Sequence, residues 1–250
     1  MTGDARFELE RAITQNELEL HYQPIFDISG DRLRGVEALV RWQHPQKGLV
    51  SPQGFLPTAE REGLMHALTA WVLREALLQA SVWRKDGLQL NMSVNIAASD
   101  LGDARFMRLL DRTLQITAGS SALTAEIRAD EASGASSAGV RDLGSRGIPI
   151  ALDDVTSVTQ LDGATNWSLD TVKLGRQIIG HALDDARSAD VARGIARFAT
   201  ERGIGLVAVG IESSAMLDFA RSLSCVGAQG YLLARPMASQ TLRRWAQRGA

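Results

Sequence analysis

Apolar and polar residues alternate along ELELHYQP (17–24) and, after the turn DISGD, again along LRGVEALVRW (33–42), which is the period of half-buried strands. A turn that short makes the two strands antiparallel. From Leu64 to Trp83 the period changes: apolar residues recur at spacings of three and four, predicting a helix that Lys85-Asp86-Gly87 closes. Strand-like runs follow at 89–96 (QLNMSVNI), 122–127 (ALTAEI), 148–153 (IPIALD), 170–174 (DTVKL), 204–211 (IGLVAVGI) and 226–232 (VGAQGYL), most of them separated by helical segments. Eight strands, the later ones alternating with helices, with no linker, low-complexity tract or convincing repeat, predict an α/β fold. The expected architecture is one (β/α)₈ barrel of the TIM type over residues 1–250, modified by an antiparallel first strand.

Composition narrows the partners. With 45% hydrophobic residues the chain can bury a sizeable core, and 29 acidic against 27 basic residues leave no general field for a nucleic-acid polymer or an anionic membrane. Any anion site must be local. Cys225 is the only cysteine, so no intrachain disulfide forms, and a cytoplasmic location is the default expectation. The start, MTGDARFELERAI, lacks the apolar core of a signal peptide, and no apolar run approaches the roughly 18 residues of a membrane span. A piece cut from a larger, membrane-tethered protein fits these facts equally well.

Candidate chemistry lies at the strand ends. Glu37 falls within the second strand, and Asn95, Glu126, the pair Asp153 and Asp154, Lys173, Glu212 and Gln229 fall near the carboxyl ends of later ones. A barrel points all of these ends at one mouth, where barrel enzymes keep their sites. Alone, a Glu or Asn at a strand end is more often a turn or cap residue; seven such positions in register are harder to dismiss. Two adjacent carboxylates at the edge of a core also need a cation or specific donors to compensate them. Carboxylates with one amide oxygen, and no converging His or Cys, suit a hard cation such as Mg²⁺, Mn²⁺ or Ca²⁺ better than zinc. His21, His44, His66 and His181 are scattered and read as structural or exposed. Paired divalent ions held by shared carboxylates commonly serve phosphodiester hydrolysis. Arg41 shares the strand face of Glu37 and Leu39 and could take a phosphate as a planar fork, although it fits equally well as a surface arginine snorkelling from a strand end. GIGLVA (203–208) matches a glycine-rich dinucleotide pattern, but its glycines begin a strand instead of following one, so it carries little weight.

With these pieces in hand the chain resembles the EAL-domain family, cyclic di-GMP phosphodiesterases and their inactive relatives, from about Phe7 to about Trp245. The matching segments are YQPI (22–25), EALVRWQHP (37–45), FLPTAEREG (55–63), SVN (93–95), ALDD (151–154), VK (172–173) and QGYLLARP (229–236). The resemblance implies that Glu37, Asn95, Glu126 and Asp153 are ligands of one Mg²⁺ or Mn²⁺, with Asp154 serving a second metal. Lys173 would orient the attacking water and Glu212 would support the site. Gln23, Leu39, Arg41, Asp154 and Gln229 would contact the dinucleotide. Relatives also dimerise near the loop after the Asp pair, so a homodimer and a protein partner belong to the same expectation.

The departures are equally specific. AVGIES (208–213) places Val209 where active members carry a glutamate usually assigned as general base or water-site ligand, and a valine cannot accept a proton. EIRA (126–129) puts Ala129 in place of a carboxylate that braces the following loop, and that loop, DDVTSVTQL, lacks the family's glycines and aromatics. Gly175 replaces the aspartate two residues beyond Lys173. The leading expectation is therefore a degenerate domain that binds cyclic di-GMP with little or no hydrolysis and retains one metal site. The alternatives are an active phosphodiesterase making pGpG and a nucleotide-independent interaction module.

Overall fold

Ten strands form one sheet whose central eight close into a barrel in this computed structural model, which describes residues 2–117 and 123–247. The strands are β1 (Leu18–Asp27), β2 (Leu33–His44), β3 (Gly48–Val50), β4 (Asn91–Asn95), β5 (Leu123–Arg128), β6 (Ile150–Val155), β7 (Thr171–Leu174), β8 (Gly205–Val209), β9 (Gly227–Gln229) and β10 (Met237–Ala238). Residue 122, where the expected strand 122–127 begins, lies outside the described residues. β2 and β4 to β9 run parallel in succession, while β1 pairs antiparallel with both β2 and β9 and so closes the barrel. The antiparallel start read from the first two alternating runs is therefore present. Two short strands, β3 and β10, were not expected; each only extends an edge of the closed set.

The helices are α1 (Thr2–Thr14), α2 (Leu56–Arg61), α3 (Met65–Lys85), α4 (Ala104–Thr117), α5 (Ser137–Ser145), α6 (Arg176–His181), α7 (Ala186–Glu201), α8 (Ser214–Ser222) and α9 (Ser239–Ala246). Leu68, Val72, Leu73, Ala76 and Leu77 form the buried stripe of α3, and Gly87, at φ +82, ends it while Leu88 N–H returns to the Trp83 carbonyl. Side chains of Ser136, Asp185 and Ser213 cap α5, α7 and α8, satisfying amide donors that the first helical turn leaves open. The core lies between barrel and helices. One part gathers Phe55, Leu73, Trp83 and Phe106. The other gathers Leu152, Val172, Ile195 and Leu206. The glycines of GIGLVA end α7 and begin β8, with Gly203 at φ +66, so that segment makes a helix-to-strand turn and no phosphate loop. No described helix is long and apolar enough to cross a membrane.

Candidate active site

Lys173 sits at the centre of the barrel mouth. It points inward from β7, is 2% exposed, and its Nζ donates to Glu37 Oε2 at 2.9 Å and to Glu126 Oε2 at 2.7 Å, with Asp153 Oδ1 at 3.3 Å. The strand register brings these groups together: Glu37 of β2 lies opposite Gln23 of β1, Asn95 of β4 opposite Glu126 of β5, and Val209 of β8 opposite Gln229 of β9. Asn95 Nδ2 donates to Glu37 Oε1 at 3.0 Å, and Gln229 Nε2 donates to Glu37 Oε2 at 2.9 Å and to Gln23 Oε1 at 3.2 Å. Gln23 in turn donates to the Ala234 carbonyl.

Three carboxyl groups thus surround one ammonium, all four side chains being largely buried. Burial alone would raise Glu37, but Lys173, Gln229 and Asn95 together hold its carboxyl below the ordinary value. Glu126 has fewer compensating donors, and burial pushes it up to about 8 despite Lys173. Asp153 is likewise raised by burial, with Glu37 adding repulsion. Burial opposes the charged form of Lys173, yet the surrounding Asp153, Glu126 and Glu37 raise it well above the usual lysine value.

A cleft of about 270 Å³ opens above this cluster, lined by Gln23, Glu37, Leu39, Asp153, Asp154, Lys173, Glu212 and Gln229 among others. Every expected site residue except Asn95, Glu126 and Arg41 lines it, and the first two join through the hydrogen bonds above. Arg41 lines neither this cleft nor its neighbour; it is half-buried and donates to the Val40 carbonyl at 2.8 Å. The neighbouring cleft, about 200 Å³ and largely apolar, runs from Leu39, Asn95 and Asp153 past Pro52, Leu56 and Met65. None of the four histidines lines either cleft. Gln229 Oε1 is buried and has no hydrogen-bond partner among the described residues.

The departing positions have definite surroundings. Val209 lines the mouth beside Lys173 and Glu212. Glu212 is held by Arg176 at 2.6 Å, and the Arg176 stem lies over Gly210, where a Cβ would come within 2.3 Å of Arg176 Cγ. Ala129 is buried in the same apolar cluster as Ala132, Leu161 and Ala164. The loop after the Asp pair carries its own brace: Gln160 Oε1 accepts from the Thr156 and Ser157 amides at 2.8 and 3.0 Å, and residues 158–164 wind into a 3₁₀ helix. Within it no residue from Val155 to Ala164 adopts a positive φ, whereas Asp154 does, at +53°. Arg128, Arg176 and Tyr231 also line the mouth and were not expected there. Arg128 had a legible signal, since it lies two residues from Glu126 on the same strand face.

Among the described residues no group of three or more His, Cys, Asp or Glu side chains is arranged to hold a metal ion as it stands, because Lys173 occupies the middle of the carboxylates. In kind, however, the donors fit one hard divalent ion: buried carboxylate oxygens, an Asn amide oxygen and an excess of negative charge over the single ammonium.

Comparison with known proteins agrees with this geometry. The EAL domain model matches residues 6–236. Cyclic di-GMP phosphodiesterase PA2567 of Pseudomonas aeruginosa is 34% identical across 96% of this chain and 42% of its own length. Cyclic di-GMP phosphodiesterase PdeR of Escherichia coli is 30% identical across 96% of this chain and 37% of its own. The chain thus spans less than half the length of these two relatives. The solved PaMucR phosphodiesterase, in a c-di-GMP complex, is 31% identical and superposes with a TM-score of 0.87 over 96% of this chain and 99% of that one. The Xanthomonas citri FimX EAL domain in complex with c-diGMP shares the fold, with a TM-score of 0.86 at 18% identity over 95% of this chain and 94% of that one. Ordered motifs, an antiparallel-closed barrel and a match over nearly the whole length place this chain in the EAL domain family.

Proposed function

We propose that residues 1–250 form one EAL domain that binds cyclic di-GMP as a regulatory module and hydrolyses it slowly or not at all. The observation that carries this reading is Val209: the side chain at the mouth beside Lys173 and Glu212 has no atom that accepts a proton. Losing a general base costs about 10²- to 10⁴-fold in rate. Glu212, at the same mouth, is paired with Arg176 at 2.6 Å.

Ligand binding is supported by what remains. The polar mouth and the apolar cleft share Leu39, Arg128 and Asp153, so a phosphodiester over the first can place a purine ring in the second. Gln23 and Gln229 offer amide groups, the latter with its unpaired buried oxygen. Glu37, Asn95, Glu126 and Asp153 would hold one Mg²⁺ or Mn²⁺, with Ca²⁺ able to substitute; such an ion supplies charge neutralisation to a bound phosphate. Asp154 is the weakest member, since it belongs to a second-metal position whose neighbouring loop and residue 175 differ from the family pattern. The module would act in the cytoplasm through a protein partner, with homodimerisation as one arrangement.

Titration calorimetry with cyclic di-GMP, first in chelator and then in Mg²⁺, tests the proposal. Binding without pGpG formation is the expected result; no heat in either condition would refute the receptor reading and leave the interaction module. The surviving carboxylates and the phosphodiesterase relatives favour a second reading, an active enzyme, for which turnover of roughly 1 s⁻¹ or more is the mark.

A further inference from the structure

Beneath the Lys173 cluster the barrel is unusually thinly filled. Barrel interiors of this class are normally packed by layers of bulky branched side chains. Here Ser93 pairs with Thr124, and Glu126, Ala151, Thr171 and Gly205 are successive partners across four strands. These side chains, small except for Glu126, leave a cavity of about 190 Å³. Its upper end is formed by Glu126 and Lys173, and its lower end opens between the exposed residues Arg34 and Asp170.

The walls carry polar groups without protein partners. Ser93 is only 6% exposed, yet its hydroxyl makes no hydrogen bond to the described residues. Glu126, 1% exposed, engages Lys173 through Oε2 alone. Thr124 bonds Asn91, a single partner for a hydroxyl that can make more. Dry cavities are apolar, whereas a polar space larger than the ~10–15 Å³ needed per water, with two or more partners, holds water. Both conditions are met.

We propose that this cavity is a water-binding well: a cluster of ordered water molecules, in exchange with solvent through the Arg34 and Asp170 end, that hydrates Glu126 and Ser93 from the face opposite the mouth. The buried carboxylates and ammonium would then be solvated from below whatever occupies the mouth. This offsets part of the desolvation that a fully dry ion cluster would incur. The inference is independent of nucleotide binding.

A high-resolution crystal structure of the protein, with and without Ala151→Val, tests it. Ala151 pairs with both Glu126 and Thr171, so the larger side chain intrudes into the well. The wild type should show ordered waters within hydrogen-bond distance of Ser93 Oγ and Glu126 Oε1. Ala151→Val should lose them and lower Tm by about 2–4 °C, the shift of roughly 1 kcal/mol in a domain of this size. If the variant does not fold, the wild-type density decides alone. A cavity without water density, or a rise in Tm on filling it, as expected of a dry void, overturns the proposal.

Discussion

Asp154 and Gly175 fit one another: a Cβ on residue 175 would lie 2.6 Å from Asp154 Oδ1 and 2.8 Å from Thr156 Cγ2. Asp154 also holds a left-handed backbone, φ +53°, which short polar residues tolerate better than others. The aspartate that the family resemblance leads one to expect at position 175 therefore does not fit without moving Asp154. We expect Gly175→Asp to displace the Asp154 side chain and cost about 1–3 kcal/mol, read by thermal unfolding and a crystal structure; an undisturbed Asp154 at full stability would contradict the fit.

Among the described residues Lys173 is the only cation within hydrogen-bond reach of Glu37, Glu126 and Asp153. Above about pH 8, where Glu126 is ionised, Lys173→Met leaves these buried carboxylates without a cation and should destabilise the domain by about 3–5 kcal/mol. Denaturant unfolding in chelator checks this, and an unchanged midpoint would mean that the carboxylates are neutral in the native state.

Glu126 gives the site a pH dependence. Its value in the folded chain, pushed up to about 8 by burial, lies above the ordinary 4.5. Between those values the native state holds a proton that the unfolded chain has lost, so this group's contribution to stability declines as pH rises through the window. Divalent-ion binding needs the carboxylate and must release that proton below about pH 8. Mg²⁺ affinity by calorimetry should therefore rise from pH 6.5 to 8.5, by at most about tenfold per unit for one proton. A flat profile would remove Glu126 from the ligand set.

Arg41 donates to the Val40 carbonyl and lies off both clefts, so it must swing to reach a ligand. If it does, Arg41→Ala removes a charge-assisted contact of about 1.5–3 kcal/mol, a loss of roughly 10- to 150-fold in cyclic di-GMP affinity. An unchanged Kd would place Arg41 permanently at the surface.

The barrel was legible because its strands are half-buried or flanked by turns, so alternation and short apolar runs mark them, and because a carboxyl-end residue recurs on strand after strand. The run 226–232 was read too long: the strand stops at Gln229, since Gly230 packs where a Cβ would come within 2.1 Å of the Ile211 carbonyl, a close approach that periodicity does not encode. The placement of Arg176 was illegible for a similar reason, as it depends on a stem lying over Gly210 and an ion pair with Glu212. Gln160 braces its loop by accepting from backbone amides, which no side-chain motif announces. The central position of Lys173 follows from register across strands distant in the chain.

On the proposed reading, hydrolysis should be gained in steps. Val209→Glu alone restores an acceptor beside Lys173, within reach of a gain of roughly 10² to 10⁴. The realised gain should be smaller, because misplacement by about 1 Å can itself cost about 10²-fold and Asp154, Ala129 and the Gln160-braced loop stay as they are. Adding Ala129→Glu and a family-like loop after Asp154 should raise turnover further.

Release of pGpG from cyclic di-GMP by the unaltered protein, in saturating Mg²⁺ or Mn²⁺, tests the central claim most directly. A valine at position 209 predicts product at or near background, with clear turnover only in the combined variant. Wild-type turnover of roughly 1 s⁻¹ or above would contradict it.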